Sequence, residues 1–327
     1  MPGTCGGILE EGAMKVLPGL LALASLLTVA TAHAQGQAAD QAQTYAVATR
    51  SAVPYVEHDG VKLAGELYLP KGLDKAPLVI AAHGGGWQAG SPATYRHWGP
   101  YLARNGYAVL AIGYRLSKPG AKSYPGAVYD VKAAVQFARA NAPELGIDPD
   151  RIGMMGDSAG AHLVSLVALA GDESLFSTEY RSDPHAATPA NVKAVIGFYG
   201  VYDMQAQWHH NQITRPRDQI TEKFLGVSPM QSRRAYFDVS PISYATVEKN
   251  EKTRTRFLLI HGTNDDIVDP QTQSQAFLTA LKQAGFFART IVVPGSGHFW
   301  ASEPVEEAGS YGAQAAPQML RFLRGAL

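Results

Sequence analysis

Six apolar runs constrain the fold of this chain more than any other feature. They read APLVIAAHG, YAVLAIGYRL, RIGMMGDS, NVKAVIGFYG, TRFLLIHG and RTIVVPGSGH. None alternates polar with apolar residues, so each strand they form needs cover on both faces, as strands of parallel sheets have. Between them lie segments with helical spacing: ATYRHWGPYLARNG, GAVYDVKAAVQFARANAPELG, SAGAHLVSLVALAG and TQSQAFLTALKQAG. Glycine or proline stands where each should stop. Strands alternating with helices predict an α/β fold with a mostly parallel central sheet and helices on both faces. Ahead of them, YVEHDGVKLAGELYLP alternates around Asp59-Gly60 and predicts a hairpin. Residues 204–240 break the rhythm with no strand-like run and scattered Trp208, Phe224, Tyr236 and Phe237. An insertion this long between sheet elements is expected to form a small cap over a site.

The N-terminus predicts export. From Met14 the chain carries Lys15, an apolar run from Val16 to Ala30, then Ala32-His33-Ala34. A basic start, an apolar stretch and a small-residue site predict a signal peptide over residues 1–34, cleaved after Ala34, with Met14 as the expected start. The run is shorter than the roughly 20 residues of a membrane span and is broken by Pro18 and Gly19, so no stable membrane insertion is expected after cleavage. Residues 35–44 read as a flexible leader, leaving 45–327 as the domain. The protein is therefore expected to be periplasmic or secreted. Its one cysteine, Cys5, lies in the removed part, which excludes disulfides and a thiolate nucleophile from the mature protein. A formal net charge of +0 argues against a nucleic-acid partner.

Gly156-Asp157-Ser158-Ala159-Gly160 matches G-x-S-x-G between an apolar strand and a helix, the setting of a nucleophile elbow. Small neighbours are needed there because strand and helix crowd the serine. The helix start offers unpaired N–H groups and a positive dipole end to developing negative charge. Serine needs a base, and GSGHFW supplies His298 after the last strand. The base needs an acid to orient it. HGTNDDIVDP supplies Asp265 at the end of the preceding strand, with Asp266 and Asp269 as rivals. The glycines of AAHGGGWQAG let backbone N–H groups turn inward, so Gly85, Gly86 and Ala159 are the expected oxyanion donors. His83 and His162 are read as structural, and Trp87 and Trp208 as candidate substrate-pocket walls, with packing as the alternative. No cofactor or metal is expected: there is no H-E-x-x-H and no acidic calcium loop, and adjacent His209 and His210 suit a cap surface better than a metal.

HGGGW, GDSAG, HGTND and GSGH, in that order, resemble the α/β-hydrolase superfamily, and within it the esterase/lipase group that shares HGGG with hormone-sensitive-lipase-type enzymes. YRLSKPGAKSYPGAVYDVKAAVQFARAN resembles the same group. Only a short hairpin precedes the first buried strand, so the chain looks more like the compact carboxylesterase, feruloyl-esterase-like and acetyl-esterase branch. The resemblance implies a serine ester hydrolase working through an acyl-enzyme on small-molecule or polysaccharide-linked esters. Two alternatives stay open. H-G-G-x-W also resembles arylformamidases, which cleave an N-formyl amide, although export speaks against that cytosolic role. A hydrolase fold used only for binding would have lost a site residue. A prolyl-oligopeptidase-type peptidase would need a propeller for which the chain has no room.

Overall fold

The computed structural model describes residues 44–327; the expected signal peptide and nearly all of the leader lie outside the described residues. Eight strands form one sheet in the order β1-β2-β4-β3-β5-β6-β7-β8. They are β1 (Val47–His58), β2 (Val61–Pro70), β3 (Ala76–Ala82), β4 (Ala108–Ile112), β5 (Ile147–Asp157), β6 (Ala194–Phe198), β7 (Arg256–Gly262) and β8 (Ala288–Val293). β1 and β2 are the expected hairpin, closed by Asp59 and Gly60, both at positive φ. That conformation matches the twist of paired strands in a two-residue turn. β2 meets β4 antiparallel, and every pairing from β4 through β8 is parallel.

Five of the six apolar runs sit where two-faced burial demands; the sixth, β8, departs from the expectation because it lies at the sheet edge, and its Arg289 and Val292 are exposed. All residues of β3, β4 and β6 are buried. Because side chains alternate across a strand, Leu78, Ile80 and Ala82 enter one core layer while Val79 and Ala81 enter the other. The first layer is filled from α2 (Gly126–Ala140), α4 (Ala159–Ala170) and α9 (Ala276–Gln283). The second is filled from α1 (Trp98–Arg104) and α10 (Tyr311–Ala326). Fully burying a side chain such as Leu110 or Ile80 stabilises the fold by about 1.5–3 kcal/mol. Two short helices, α3 (Ala142–Leu145) and α8 (Val247–Thr253), complete the crossovers before β5 and β7. Every residue of α4 is buried, which is why its sequence carries almost no polar face.

Residues 204–240 fold as three helices: α5 (Met204–Thr214), α6 (Ile220–Leu225) and α7 (Arg233–Asp238). Asp203 caps α5 by accepting the Ala206 N–H, and Ser232 caps α7 by accepting the Ala235 N–H. This insertion is bolted to the sheet domain. Phe224 stacks on Trp87 at 4.7 Å between ring centroids, and the Tyr124 N–H donates to Phe224 O at 3.2 Å.

Candidate active site

β5 ends at Asp157 and α4 begins at Ala159, so Ser158 alone makes the turn between them. It sits at φ +51, a region that costs a non-glycine residue of order 1–3 kcal/mol. Its N–H donates to Phe198 O at 2.9 Å, which holds the strained turn against β6. Glycine at 160 follows from space: a Cβ there would lie 1.9 Å from Ala82 O. The elbow and the end of β3 can approach this closely only without that side chain.

The loop after β8 brings His298 to the serine. His298 Nε2 lies 3.0 Å from Ser158 Oγ, and Nδ1 lies 2.7 Å from Asp265 Oδ2. Asp265 Oδ1 accepts the Ile267 and Val268 N–H groups, each at 3.0 Å, so the carboxylate is fixed from both ends. The rivals are engaged elsewhere. Asp269 accepts from Thr272, and exposed Asp266 faces Arg215. In this arrangement Nδ1–H donates to Asp265 and Nε2 is left to accept the serine proton. Ser158 is buried, only 8% exposed.

Gly85 and Gly86 lie beside this line at φ +108 and +58. A Cβ on Gly85 would fall 2.2 Å from Ala89 O, and one on Gly86 would fall 2.2 Å from Ile220 Cδ1 of α6. Among the described residues, the N–H groups of Gly85, Gly86 and Ala159 donate to no protein acceptor. The neighbouring Gly84 N–H does, to Asp157 Oδ1 at 2.9 Å. Tyr95 OH donates to the same oxygen at 2.9 Å. Burial pushes the Asp157 carboxyl up, to about 6, even though the hydrogen bonds from Tyr95 and Gly84 pull the other way. This tie between elbow and glycine loop was missed in the sequence. Its signal was present: one acidic residue in the otherwise apolar end of RIGMMGDSAG.

His83 braces the loop, with Nδ1–H donating to Gly84 O at 2.7 Å and the ring stacked on Tyr114. His162 locks the cap. Its Nδ1 accepts the Trp87 indole N–H at 3.2 Å and its Nε2–H donates to Val239 O at 2.7 Å. Burial holds its ring neutral, lowering it to about 4. Trp87 therefore departs from its expected place as a pocket wall. It is 1% exposed, between His162 and Phe224, because its indole N–H finds a partner only inward. Trp208 is half-buried and donates its indole N–H to Glu222, tying α5 to α6. His210 Nε2–H donates to Asp266 O. A cavity of about 650 Å³ lies between α5, α7 and the turn at Asp269, but neither Ser158 nor His298 lines it.

A strained serine after a parallel strand, a histidine and an aspartate in line with it, and free N–H groups at a helix start define an α/β-hydrolase-fold protein with a serine-hydrolase-type site. Within that class the chain belongs to the BD-FAE family, whose sequence pattern matches residues 66–281. Two Mycobacterium tuberculosis proteins are similar to it. "Probable carboxylic ester hydrolase LipM" is 30% identical over 64% of this chain and 45% of its own length. "Esterase LipQ" is 33% identical over 64% of this chain and 47% of its own length. The chain spans about half the length of the curated relatives it matches. Among solved structures, a "truncated form of carbohydrate esterase from gut microbiota" is 26% identical, covers 87% of this chain and 97% of its own, and superposes with a TM-score of 0.67. Thermogutta terrifontis esterase 2, at 24% identity and a TM-score of 0.66, shares the fold.

Proposed function

We propose that the protein is an exported serine carboxylic-ester hydrolase. The observation that carries the reading is the 3.0 Å approach of His298 Nε2 to Ser158 Oγ at a strained elbow. In the proposed cycle His298 takes the Ser158 proton as Oγ attacks the ester carbonyl. The N–H groups of Gly85, Gly86 and Ala159 receive the oxyanion. His298 then gives its proton to the leaving alcohol, and the C–O bond to it breaks. Water, deprotonated by His298, attacks the acyl-enzyme and releases the acid. Asp265 keeps the imidazole in the required tautomer and stabilises its charged form.

The names of LipM, LipQ and the gut carbohydrate esterase support ester hydrolysis. The last of these, with the expected signal peptide, favours small acyl, acetyl or feruloyl esters carried on external material, including polysaccharide. Initial rates on p-nitrophenyl acetate, butyrate and octanoate, methyl ferulate and N-formyl-kynurenine, with Ser158→Ala alongside, test the reading. Ester turnover that vanishes in the variant is expected. Cleavage of the formyl amide alone would refute the ester reading, and unchanged turnover in Ser158→Ala would refute the nucleophile. N-terminal sequencing of the exported protein should find Gln35 first.

A further inference from the structure

β6 runs out into Tyr199, whose backbone lies at φ +38 although it is a bulky aromatic residue. Strain of this kind persists only where the surroundings over-determine it, and it collects at functional sites. Three contacts hold Tyr199 there. Its N–H donates to Ile260 O at 2.6 Å, prolonging the β6–β7 pairing by one bond. Its phenol oxygen accepts the Ala301 N–H at 2.9 Å. Its ring lies 4.4 Å from the His298 ring, centroid to centroid, tilted by 53°. The side chain is 1% exposed, and so cannot be a substrate contact.

The loop that carries His298 explains why this grip matters. Ahead of the histidine it is held by Gly295 N–H to Thr263 Oγ1 and by Asn264 N–H to Ser296 O. Directly after the histidine the chain reverses at Phe299, at φ +70, and Phe299 is itself 62% exposed. Past that reversal, Trp300 buries its ring against Phe198 and Tyr199, and the N–H of buried Ala301 donates to the Tyr199 hydroxyl. Tyr199 thus pins the far end of the loop and presses on the imidazole with the same side chain. A histidine serving both Ser158 Oγ and Asp265 Oδ2 tolerates little drift, because a misplacement of about 1 Å costs on the order of 100-fold in rate.

We propose that Tyr199 is a positioning residue for His298, holding the imidazole between Ser158 and Asp265 through its ring and its hydroxyl. The inference rests on the ester-hydrolase reading, and its test separates the two. The full-length chain is compared with Tyr199→Phe, Tyr199→Leu and Ser158→Ala. The readouts are p-nitrophenyl butyrate turnover and covalent labelling by a serine-directed phosphonate, with both rate and final stoichiometry recorded. In Tyr199→Phe, kcat and the labelling rate are expected to fall together by about tenfold, with KM within about twofold and labelling still reaching one per chain. Tyr199→Leu, which loses ring and hydroxyl, should fall by about 100-fold. A purely structural tyrosine would instead lower the stoichiometry and leave the remaining molecules reacting at the wild-type rate. That result, or wild-type kcat and labelling rate in Tyr199→Phe, overturns the proposal. If Tyr199→Leu does not fold, Tyr199→Phe decides. A wild-type chain that is labelled but hydrolyses no ester sinks the ester reading alone, and the labelling rates still decide Tyr199. Absence of labelling in the wild type refutes both.

Discussion

Asp157→Asn should make the protein more stable in mild alkali and no different in acid. Both hydrogen bonds to Asp157, from Gly84 N–H and Tyr95 OH, end on Oδ1, so an asparagine carbonyl can accept both in place. What changes is the buried charge. A folded-state value of about 6 against an ordinary 3.8 means that the folded protein prefers the neutral carboxyl. Stability from this group is therefore fully present below about pH 3.8 and is lost as pH rises through about 6. A shift of about two pKa units corresponds to about 3 kcal/mol. Asparagine stays neutral throughout, so urea denaturation at pH 8 should show the variant more stable by about that amount, and the two proteins should converge near pH 4. Comparing the pair at each pH removes the other titrating groups, His162 among them, because they are common to both. A gap that does not vary with pH, or a variant less stable at pH 8, would refute the argument that burial dominates at Asp157. Turnover should fall several-fold in the same variant, since the Asp157 charge acts on the His298 imidazolium in the proposed cycle.

Glycine positions near the site should differ by what a new Cβ meets. Gly160→Ala directs it to within 1.9 Å of a backbone oxygen that cannot swing away, so a loss of at least about 3 kcal/mol is expected in thermal or urea unfolding. Gly86→Ala meets the end of the Ile220 side chain, which can turn, so the fold should survive while ester turnover drops by at least about tenfold. Adding Ile220→Ala should recover part of that turnover; no recovery would show that the φ of +58 accounts for the whole loss. His162 is held neutral, lowered to about 4 by burial, so its contribution is present above 6.5 and lost as pH falls toward 4. Amide protection factors across residues 220–239, which correct for the slower intrinsic exchange in acid, should therefore fall at pH 4.5 relative to pH 7. His58 should act with the opposite sign. Burial pushes it down, but hydrogen bonds to Asp130 and Asp183 outweigh this and leave it raised, so its contribution is full below 6.5 and fades as pH rises. His58→Gln should flatten that alkaline decline in unfolding experiments.

Much of the fold was legible because burial leaves a linear trace. Strands covered on both faces must be apolar along their length, and β3, β4 and β6 read so. The hairpin announced itself through Asp59-Gly60, and the elbow through small residues around Ser158. Helix α10 escaped notice because no expected strand followed it to mark it as a crossover. The three helices within residues 204–240 escaped notice because their apolar residues are sparse and serve short helices.

By itself, the order of residues determined the parallel α/β architecture, the serine with its candidate histidine and a choice of three aspartates, and the glycine loop, since each depends on local backbone demands or on which surfaces must leave water. Tertiary structure alone decided what depends on distance. It chose Asp265 over Asp266 and Asp269 by bringing its carboxylate within 2.7 Å of His298. It turned Trp87 from a prospective pocket wall into a buried brace for the cap. It joined Asp157 to Gly84, 73 positions apart, and Tyr199 to Ala301, 102 apart. Hydrogen bonds and desolvation act through space over a few ångströms, and no spacing along the chain records which distant backbone group a buried side chain will meet.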